Sequence, residues 1–290
     1  MIKTLDRLEY TTDQDVFSSY CLYRYEPLVP FENKYRSVNL LYHSFDLCQV
    51  NERAFELVQA LRKAIGMSCT VWGAKHSGDR VSWEFYFYDY RREEREISIS
   101  RILEVIKPFI PCEVRANGNQ PYFMFSIDID DDLISGSRDL ETIHMYIGNT
   151  ASTFSSGISY SLTSKGTTLE NFYFFFDPKE HMNDMLNKVF CSAHIDPTLV
   201  TVDEIVWPEL RKCRTICLAN KQRNDCIYFS GIDIDQYIFF LRRMNYPGEI
   251  ISFMERNKSK LDHLQYDVGL DYRMEGKNLV FLKSGYYGVF

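Results

Sequence analysis

The sequence lacks both an excess of positive charge and a long apolar run. Its 290 residues carry 33 lysines and arginines against 40 aspartates and glutamates, a formal net charge of −7. Nucleic-acid-binding surfaces are basic, so this balance argues against a nucleic-acid partner. No stretch approaches the roughly 20 apolar residues of a membrane-spanning helix, and polar sequence without a signal-peptide pattern follows Met1. We therefore expect a soluble, cytoplasmic and monomeric protein that binds neither nucleic acid nor membrane.

The common motifs of metal and cofactor chemistry are also absent. The six histidines are scattered, without an HExxH motif or paired spacing, so zinc chemistry has no support. No glycine-rich phosphate loop and no GxSxG elbow occurs, and we expect no organic cofactor. The eight cysteines include no CxxC pair. In a cytosolic protein we therefore expect them to be reduced and buried.

Aromatic residues, by contrast, are abundant, with 21 Phe, 20 Tyr and 3 Trp. The stretch Cys69–Tyr90 contains two runs of β-branched and aromatic residues on either side of a polar turn at Ser77-Gly78, a pattern that predicts a hairpin. Side chains alternate along a strand, so Glu84 and Tyr86 share one face of its second run. That face is apolar in body and polar at its tips, which suits the wall of a binding cavity.

Strand and turn signals of this kind recur along the whole chain. A strand–strand–helix unit appears five times at intervals of about 50 residues, which is typical of a repeat architecture. The hairpins are predicted at residues 69–90, 113–125, 158–177, 215–230 and 264–282, with helices near 51–66, 98–107, 182–189, 235–244 and 249–257.

Hairpins of this length need their edges covered. Ten antiparallel strands closed into a barrel, with helices outside, would remove the edges and leave a lumen. We therefore predict an α/β fold in which a ten-stranded antiparallel β-barrel is enclosed by a ring of α-helices, in five repeats. No linker divides the chain, so we predict one domain at 1–290. We expect residues 1–68 to form an N-terminal extension that is irregular to residue 50 and then contains the first helix. Residues 69–290 are expected to form the barrel.

Five consecutive hairpin-plus-helix units resemble the ABBA aromatic prenyltransferases, in which a ten-stranded barrel lies inside a ring of helices and the active site fills the lumen. The chain is most similar to the bacterial phenol and hydroxynaphthalene type, and next to the peptide prenyltransferases of cyanobactin pathways. The segments that look like family motifs are, in order, Ser77-Gly78 with Glu84-Phe85, then Tyr122–Asp128, Asn171–Phe174 and Lys283–Tyr287.

The resemblance implies transfer of a dimethylallyl or geranyl group from its diphosphate to an aromatic acceptor by electrophilic substitution. The departing diphosphate needs cationic and polar donors, and the carbocation needs aromatic faces. The implied diphosphate-binding residues are Lys283 and Asn171, which stand in family motifs. Lys75, Arg214 and Arg223 are the nearby basic residues expected to take the place of family cations that this sequence lacks. The implied aromatic wall and acceptor pocket consist of Tyr86, Tyr122, Met124, Tyr173 and Tyr286.

Acidic side chains supply the remaining candidates. Magnesium-dependent members of the family carry a carboxylate at the strand position of Glu84. The resemblance therefore implies that Glu84 is catalytic, either assisting proton removal or holding Mg²⁺ beside the diphosphate. The alternative is that Glu84 forms an ion pair with Lys75 across the hairpin and touches no ligand. The run Asp128–Asp132 is similar to the aspartate-rich motif of isoprenoid synthases, but here it follows a strand, which favours a solvated loop.

Two alternative functions stay open because Gln120, Thr167 and Asp225 stand where the family carries basic residues. The first is a peptide prenyltransferase, whose barrel mouth must stay open to admit a chain. The second is a non-catalytic barrel that binds an aromatic small molecule, which the missing lysines favour.

Overall fold

Ten antiparallel strands close into a barrel in the computed structural model, which describes residues 7–78, 80–90, 95–116, 120–149 and 155–290. Each strand pairs with its neighbours in sequence and the first pairs with the last, so both edges of every described strand are paired. The predicted closed, ten-stranded antiparallel barrel is confirmed. The strands are β1 (Thr70–Ser77), β2 (Arg80–Tyr88), β3 (Met124–Ile129), β4 (Ile143–Asn149), β5 (Ser156–Thr163), β6 (Gly166–Phe176), β7 (Thr215–Asn220), β8 (Asp225–Ile232), β9 (Tyr266–Glu275) and β10 (Asn278–Val289).

Helices contribute the apolar side chains that cover outward-facing parts of the barrel. They are α1 (Val38–Leu47), α2 (Arg53–Ile65), α3 (Ile99–Ile106), α4 (Asp131–Ser135), α5 (Met182–Phe190), α6 (Val202–Ile205), α7 (Ile234–Arg243), α8 (Gly248–Arg256) and α9 (Lys258–Leu261). On β2, the Trp83 ring meets Phe45 of α1 edge-on at 4.9 Å, and its Nε1 donates a 2.8 Å hydrogen bond to Ser44. None of the described helices combines the length and apolar character needed to cross a membrane.

Four of the five predicted hairpins are confirmed, and the second is wrong. The confirmed hairpins are β1–β2, β5–β6, β7–β8 and β9–β10. β3 pairs with β2 and with β4, and α4 lies between β3 and β4. Residues 113–116 are not in a strand, and the predicted Asn117-Gly118 turn falls outside the described residues. A turn motif indicates only a local reversal of the chain, whereas the pairing of β3 depends on the strands on both its sides.

The acidic run after β3 is not simply a solvated loop. Asp128 is the second-last residue of β3, and Asp130 caps α4 by accepting a 3.0 Å hydrogen bond from the backbone N–H of Leu133. A side-chain oxygen at this position satisfies one of the free N–H groups of the first turn. The run therefore ends a strand and begins a helix.

The prediction that residues 1–50 are irregular is wrong for α1. This helix is buried along eight of its ten residues, from Val38 to Phe45. A helix buried on most of its circumference has no polar stripe, so it lacks the 3.6-residue alternation by which a surface helix is found in a sequence.

The eight cysteines are all free thiols, with no disulfide among them. Three of them, Cys21, Cys217 and Cys226, are buried as expected. Cys48 and Cys191 are exposed, so the expectation of burial is wrong for these two.

We predict that Leu41→Ala destabilises the fold, because Leu41 on α1 is fully buried. Removing a buried leucine side chain leaves a cavity and costs about 2–5 kcal/mol. Leu28→Ala is the matched control, since Leu28 is 94% exposed, and its effect should stay within about 0.5 kcal/mol. Urea unfolding followed by circular dichroism measures both. Equal midpoints for the two variants would contradict the structural role of α1.

Candidate functional site

The barrel encloses a cavity of about 470 Å³, within the usual size range of small-molecule sites. It reaches the ends of the strands that carry the hairpin turns, where Gln222 and Arg223 are exposed, and extends inward to Tyr20. Its charged lining residues are Lys75, Glu84, Asp128, His144, Glu170, Lys221, Arg223, Asp271 and Lys283. Its tyrosines are Tyr20, Tyr86, Tyr146, Tyr173, Tyr228 and Tyr287.

Two glycines let tyrosine rings lie flat along the wall. Gly269 pairs with Tyr228, and Gly73 pairs with Tyr287. A Cβ atom at Gly269 would lie 2.4 Å from the Tyr228 ring, and one at Gly73 would lie 2.7 Å from the Tyr287 ring. Because neither glycine has a side chain, each tyrosine ring lies over the backbone of the glycine opposite it instead of crossing the lumen. This packing helps keep the cavity open.

Glu84 lies in a closely packed ion-pair and hydrogen-bond cluster on one wall. It is 4% exposed and forms an ion pair with Lys75, which also contacts Asp128 at 2.7 Å. Tyr86 donates a 2.6 Å hydrogen bond to the Glu84 carboxylate, and Ser126 donates to its other oxygen. Burial on its own would raise the pKa of Glu84, but the charge and hydrogen bond of Lys75 together with the charge of His144 outweigh burial and lower that pKa. The carboxylate therefore stays ionised.

The same contacts bear on the expected magnesium site. Three donors already occupy most of the four lone-pair directions of the Glu84 carboxylate, so a metal ligated by Glu84 would compete with them. Within the described ranges, no group of three or more His, Cys, Asp or Glu side chains is arranged to hold a metal ion. The expected magnesium role of Glu84 is not tested by these contacts, and they favour the alternative of an ion pair with Lys75.

His144 lies between two carboxylates on the next part of the wall. Its Nδ1 is 2.8 Å from Glu170, and its Nε2 is 3.3 Å from Asp128. Burial would lower the pKa of His144, but the two carboxylates outweigh it and raise the pKa to about 10. Lys75 and His144 in turn hold the pKa of Asp128 well below its usual range, against the effect of burial. His144 is therefore a cation at neutral pH and is not available as a base.

The part of the wall formed by β7 to β10 carries more positive than negative charge. Lys221 donates to both oxygens of Asp271, at 2.8 and 2.9 Å, and Lys283 lies 4.0 Å from the same carboxylate. With Arg223, this wall has three cations and one anion, a net charge of +2. The wall of Lys75 and His144 has two cations against the three carboxylates Glu84, Asp128 and Glu170, a net charge of −1. Burial and the nearby Lys75 and Lys221 lower the pKa of Lys283. An anion would therefore bind beside Lys221 and Lys283.

Seven of the eleven sequence-predicted site residues line the cavity, and four do not. Those in the lining are Lys75, Glu84, Tyr86, Asn171, Tyr173, Arg223 and Lys283. The other four are Tyr122, Met124, Arg214 and Tyr286.

Two of the predicted wall tyrosines lie on the outside of the barrel. The Tyr286 ring packs edge-on against Trp72 at 5.7 Å and Tyr237 at 5.6 Å, within the core shared with the helices. Tyr286 is three residues from Lys283, and strand alternation places the two on opposite faces. Tyr122 precedes β3; its hydroxyl accepts a 3.1 Å hydrogen bond from the N–H of Ile99 at the start of α3. Their assignment to the aromatic wall is wrong.

The other two residues lie towards the opposite end of the barrel from the lysines. Met124 is on the face of β3 that carries Asp128, so it points into the barrel. It packs with Tyr88 and Tyr287 at the inner end and is not part of the cavity lining. Arg214 donates a 3.3 Å hydrogen bond to the carbonyl oxygen of Arg24. Arg214 precedes β7 while Lys221 follows it, and a six-residue strand separates them by about 20 Å. Arg214 therefore does not share the anion site of Lys221.

Several lining residues were not identified from the sequence. Asp271 and Tyr228 belong to correctly predicted strands. Residues two apart share a strand face, so Asp271 lies on the face of Gly269, and Tyr228 lies on the face of Cys226. This spacing could have identified both. His144 lies on β4, a strand outside the five predicted hairpins. Tyr20 comes from a segment without strand or helix periodicity, so no local signal marks it.

No model of a known protein family matches the chain, and no curated protein is a significant match. The similarity to prenyltransferases thus depends on the quoted motifs, and the function has to be argued from the geometry of the lumen.

We predict that His144 titrates near pH 10 rather than near its ordinary pKa of 6.5. Its folded-state pKa is raised, so its contribution to stability is complete below about pH 6.5 and is lost as the pH rises towards 10. Asp128→Asn removes one carboxylate and should lower the pKa of His144. Imidazole chemical shifts in a pH series of nitrogen-15 NMR spectra measure both values.

His263 is the internal control for that titration. Burial and the nearby Lys34 lower its pKa to about 4, so its shift should stay constant from pH 6 upward in both proteins. A His144 signal that titrates near pH 6.5 in the unmodified protein would contradict the assigned contacts.

Proposed function

We propose that the protein is an aromatic prenyltransferase of the ABBA type, which transfers a dimethylallyl or geranyl group from its diphosphate to an aromatic acceptor. The observation that carries this proposal is the division of one cavity into a charged outer part and a tyrosine-lined inner part. An allylic diphosphate has the same two parts, an anionic head and an apolar chain. The proposal includes two further features of that family, the ring of helices around the barrel and the five-unit repeat.

The diphosphate would bind at the positive wall. Lys221 and Lys283 approach a single carboxylate there, and Arg223 lies at the exposed edge of the cavity. Donors that are already in place stabilise the negative charge that develops on the leaving group. Asn171 lines the same cavity, and its Nδ2 donates a 3.0 Å hydrogen bond to the Tyr173 hydroxyl, which orients this tyrosine towards the head group.

The carbocation would form among the tyrosine rings. Aromatic faces attract a cation by about 0.5–2 kcal/mol each, and Tyr146 and Tyr173 lie with their ring centroids 5.8 Å apart. Burial raises the pKa of Tyr173 to about 12 and raises the pKa of Tyr146 as well. The phenols thus stay protonated at neutral pH, and a neutral phenol competes less well than a phenolate for the allylic cation.

The reaction conserves charge and atoms in three events. The C–O bond to the diphosphate breaks and its electron pair leaves with the oxygen. A ring carbon of the acceptor then forms a C–C bond with the allylic carbon, and that ring carbon finally loses its proton. Glu84 is the candidate acceptor of this proton, since its carboxylate is ionised and linked to the lumen through the Tyr86 hydroxyl.

A ligand-binding barrel without catalysis is the second candidate. It is favoured by the internal pairing of lumen lysines: Lys75 with Glu84 and Asp128, and Lys221 with Asp271. Incubation with geranyl diphosphate and a panel of phenols, naphthols and tyrosine-containing peptides separates the candidates. A prenylated product supports the transferase, and its identity distinguishes a small aromatic acceptor from a peptide. Binding of an aromatic compound without product in every combination supports the barrel that only binds.

We predict that Lys283→Met weakens binding of geranyl diphosphate by about 1.5–3 kcal/mol, the contribution of a charge-assisted contact. The methionine keeps the unbranched stem and removes the charge, and Lys283 makes no direct hydrogen bond within the described residues whose loss would expose a buried partner. Isothermal titration calorimetry measures the affinity.

Two variants provide controls for the lysine experiment. Lys165→Met removes the same charge from an exposed turn, and Arg214→Ala removes a cation that lies outside the cavity. Both should leave donor affinity unchanged. If Lys283→Met binds geranyl diphosphate as tightly as the Lys165 variant does, the positive wall is not the diphosphate site.

We also predict that turnover persists in EDTA. Lys221, Arg223 and Lys283 supply the charge that a divalent ion would otherwise provide, and the Glu84 oxygens already accept from Lys75, Tyr86 and Ser126. Product formation is compared in EDTA and in millimolar Mg²⁺ for the unmodified protein and for Glu84→Gln. Stimulation by Mg²⁺ that Glu84→Gln abolishes would establish the metal role instead.

A further inference from the structure

The inner end of the cavity is formed by a residue that no barrel strand supplies. Tyr20 belongs to the tight turn Tyr20–Leu22 in the segment before α1, and its ring lies in the lumen. It meets three strand tyrosines edge-on, with centroid distances of 5.5 Å to Tyr86, 6.4 Å to Tyr88 and 5.6 Å to Tyr287. These contacts lie towards the end of the barrel opposite to Lys75 and Lys283. Tyr20 is therefore a floor beneath the charged part of the cavity.

Backbone contacts hold this turn in the barrel. The N–H of Tyr20 donates a 2.7 Å hydrogen bond to Asp267 on β9, and the N–H of Cys21 donates a 3.0 Å bond to the Tyr88 hydroxyl. The Tyr90 hydroxyl donates to the Cys21 carbonyl oxygen at 2.8 Å. Cys21 and Leu22 have φ values of 66° and 54°, a left-handed conformation that side-chain-bearing residues adopt rarely and only when their surroundings fix it. The position of the turn is thus fixed by contacts that do not involve the Tyr20 side chain.

We propose that Tyr20 sets the maximum length of the hydrocarbon chain that the lumen accepts, an inference that rests on the proposed prenyl-diphosphate site. With the diphosphate at Lys221 and Lys283, the chain runs inward along the tyrosine wall and ends against the Tyr20 ring. The ring fills about as much space as one five-carbon isoprene unit. Removal of the ring therefore makes room for about one more unit.

The origin of Tyr20 in a loop makes this inference testable without altering the barrel. The strand tyrosines Tyr228 and Tyr287 cover the backbone at Gly269 and Gly73, so their loss would change the wall itself. Truncation of Tyr20 leaves its backbone hydrogen bond to Asp267 in place. Ligand length can thus be changed independently of the anion site.

The experiment measures the affinities of dimethylallyl, geranyl and farnesyl diphosphates by calorimetry for four variants. Tyr20→Ala should raise the affinity for farnesyl relative to dimethylallyl diphosphate by roughly tenfold or more, the discrimination typical of an apolar pocket with space for one more group. Tyr20→Trp should shift the preference towards dimethylallyl diphosphate. Tyr20→Phe keeps the ring and should leave the order unchanged.

Tyr23→Ala is the matched control from the same segment. Tyr23 is 53% exposed and lies beneath the guanidinium group of Arg214, outside the cavity, so this variant should show the donor order of the unmodified protein. If the donors bind but Tyr20→Ala and Tyr20→Trp leave their order unchanged, Tyr20 is not the floor, and the donor site stands. If the unmodified protein binds none of the three diphosphates, the proposed function fails, and the role of Tyr20 fails with it.

Discussion

The pairing of β1 with β10 is the constraint on which the site depends. Six residue pairs join these strands, from Val71 opposite Val289 to His76 opposite Ser284. Closure makes the inward faces of all ten strands converge on one lumen, so side chains far apart in sequence become neighbours. Across this seam Tyr287 covers Gly73. In an open sheet, the two ends of the chain would not contribute to a common cavity.

The sequence was most informative where an element is specified locally. Tight turns such as Ser77-Gly78 and Glu275-Gly276 bring together two strands that are adjacent in sequence, so composition and turn chemistry are enough to identify a hairpin. β3 and β4 are separated by α4 instead, and their pairing is fixed by β2 and β5 on either side. A long connection with its own helix carries no local sign of which strands it joins.

Only the site residues that lie on strands could be predicted from the sequence, through the alternation of side chains along each strand. On β2, alternation alone assigns Glu84 and Tyr86 to one face, and the structure places both in the lumen. Applied consistently to β10, the same rule assigns Tyr287, and not Tyr286, to the face of Lys283. Tyr20 was beyond the reach of any such rule, because its position depends on long-range hydrogen bonds to the barrel.

Carboxylates fix the orientation of a bound anion as much as lysines do. Among the lumen lysines, burial and like charges lower the pKa of Lys283, whereas carboxylates raise the pKa of Lys75 and of Lys221 against the effect of burial. The ammonium group of Lys283 is therefore the least well compensated of the three. An anion near Lys283 relieves repulsion among the ammonium groups, while one near Glu84 would face a carboxylate in a partly desolvated site, where Coulomb energies are large. The head group of an amphiphilic ligand is thus directed to the β7–β10 wall, and its apolar chain to the tyrosines below.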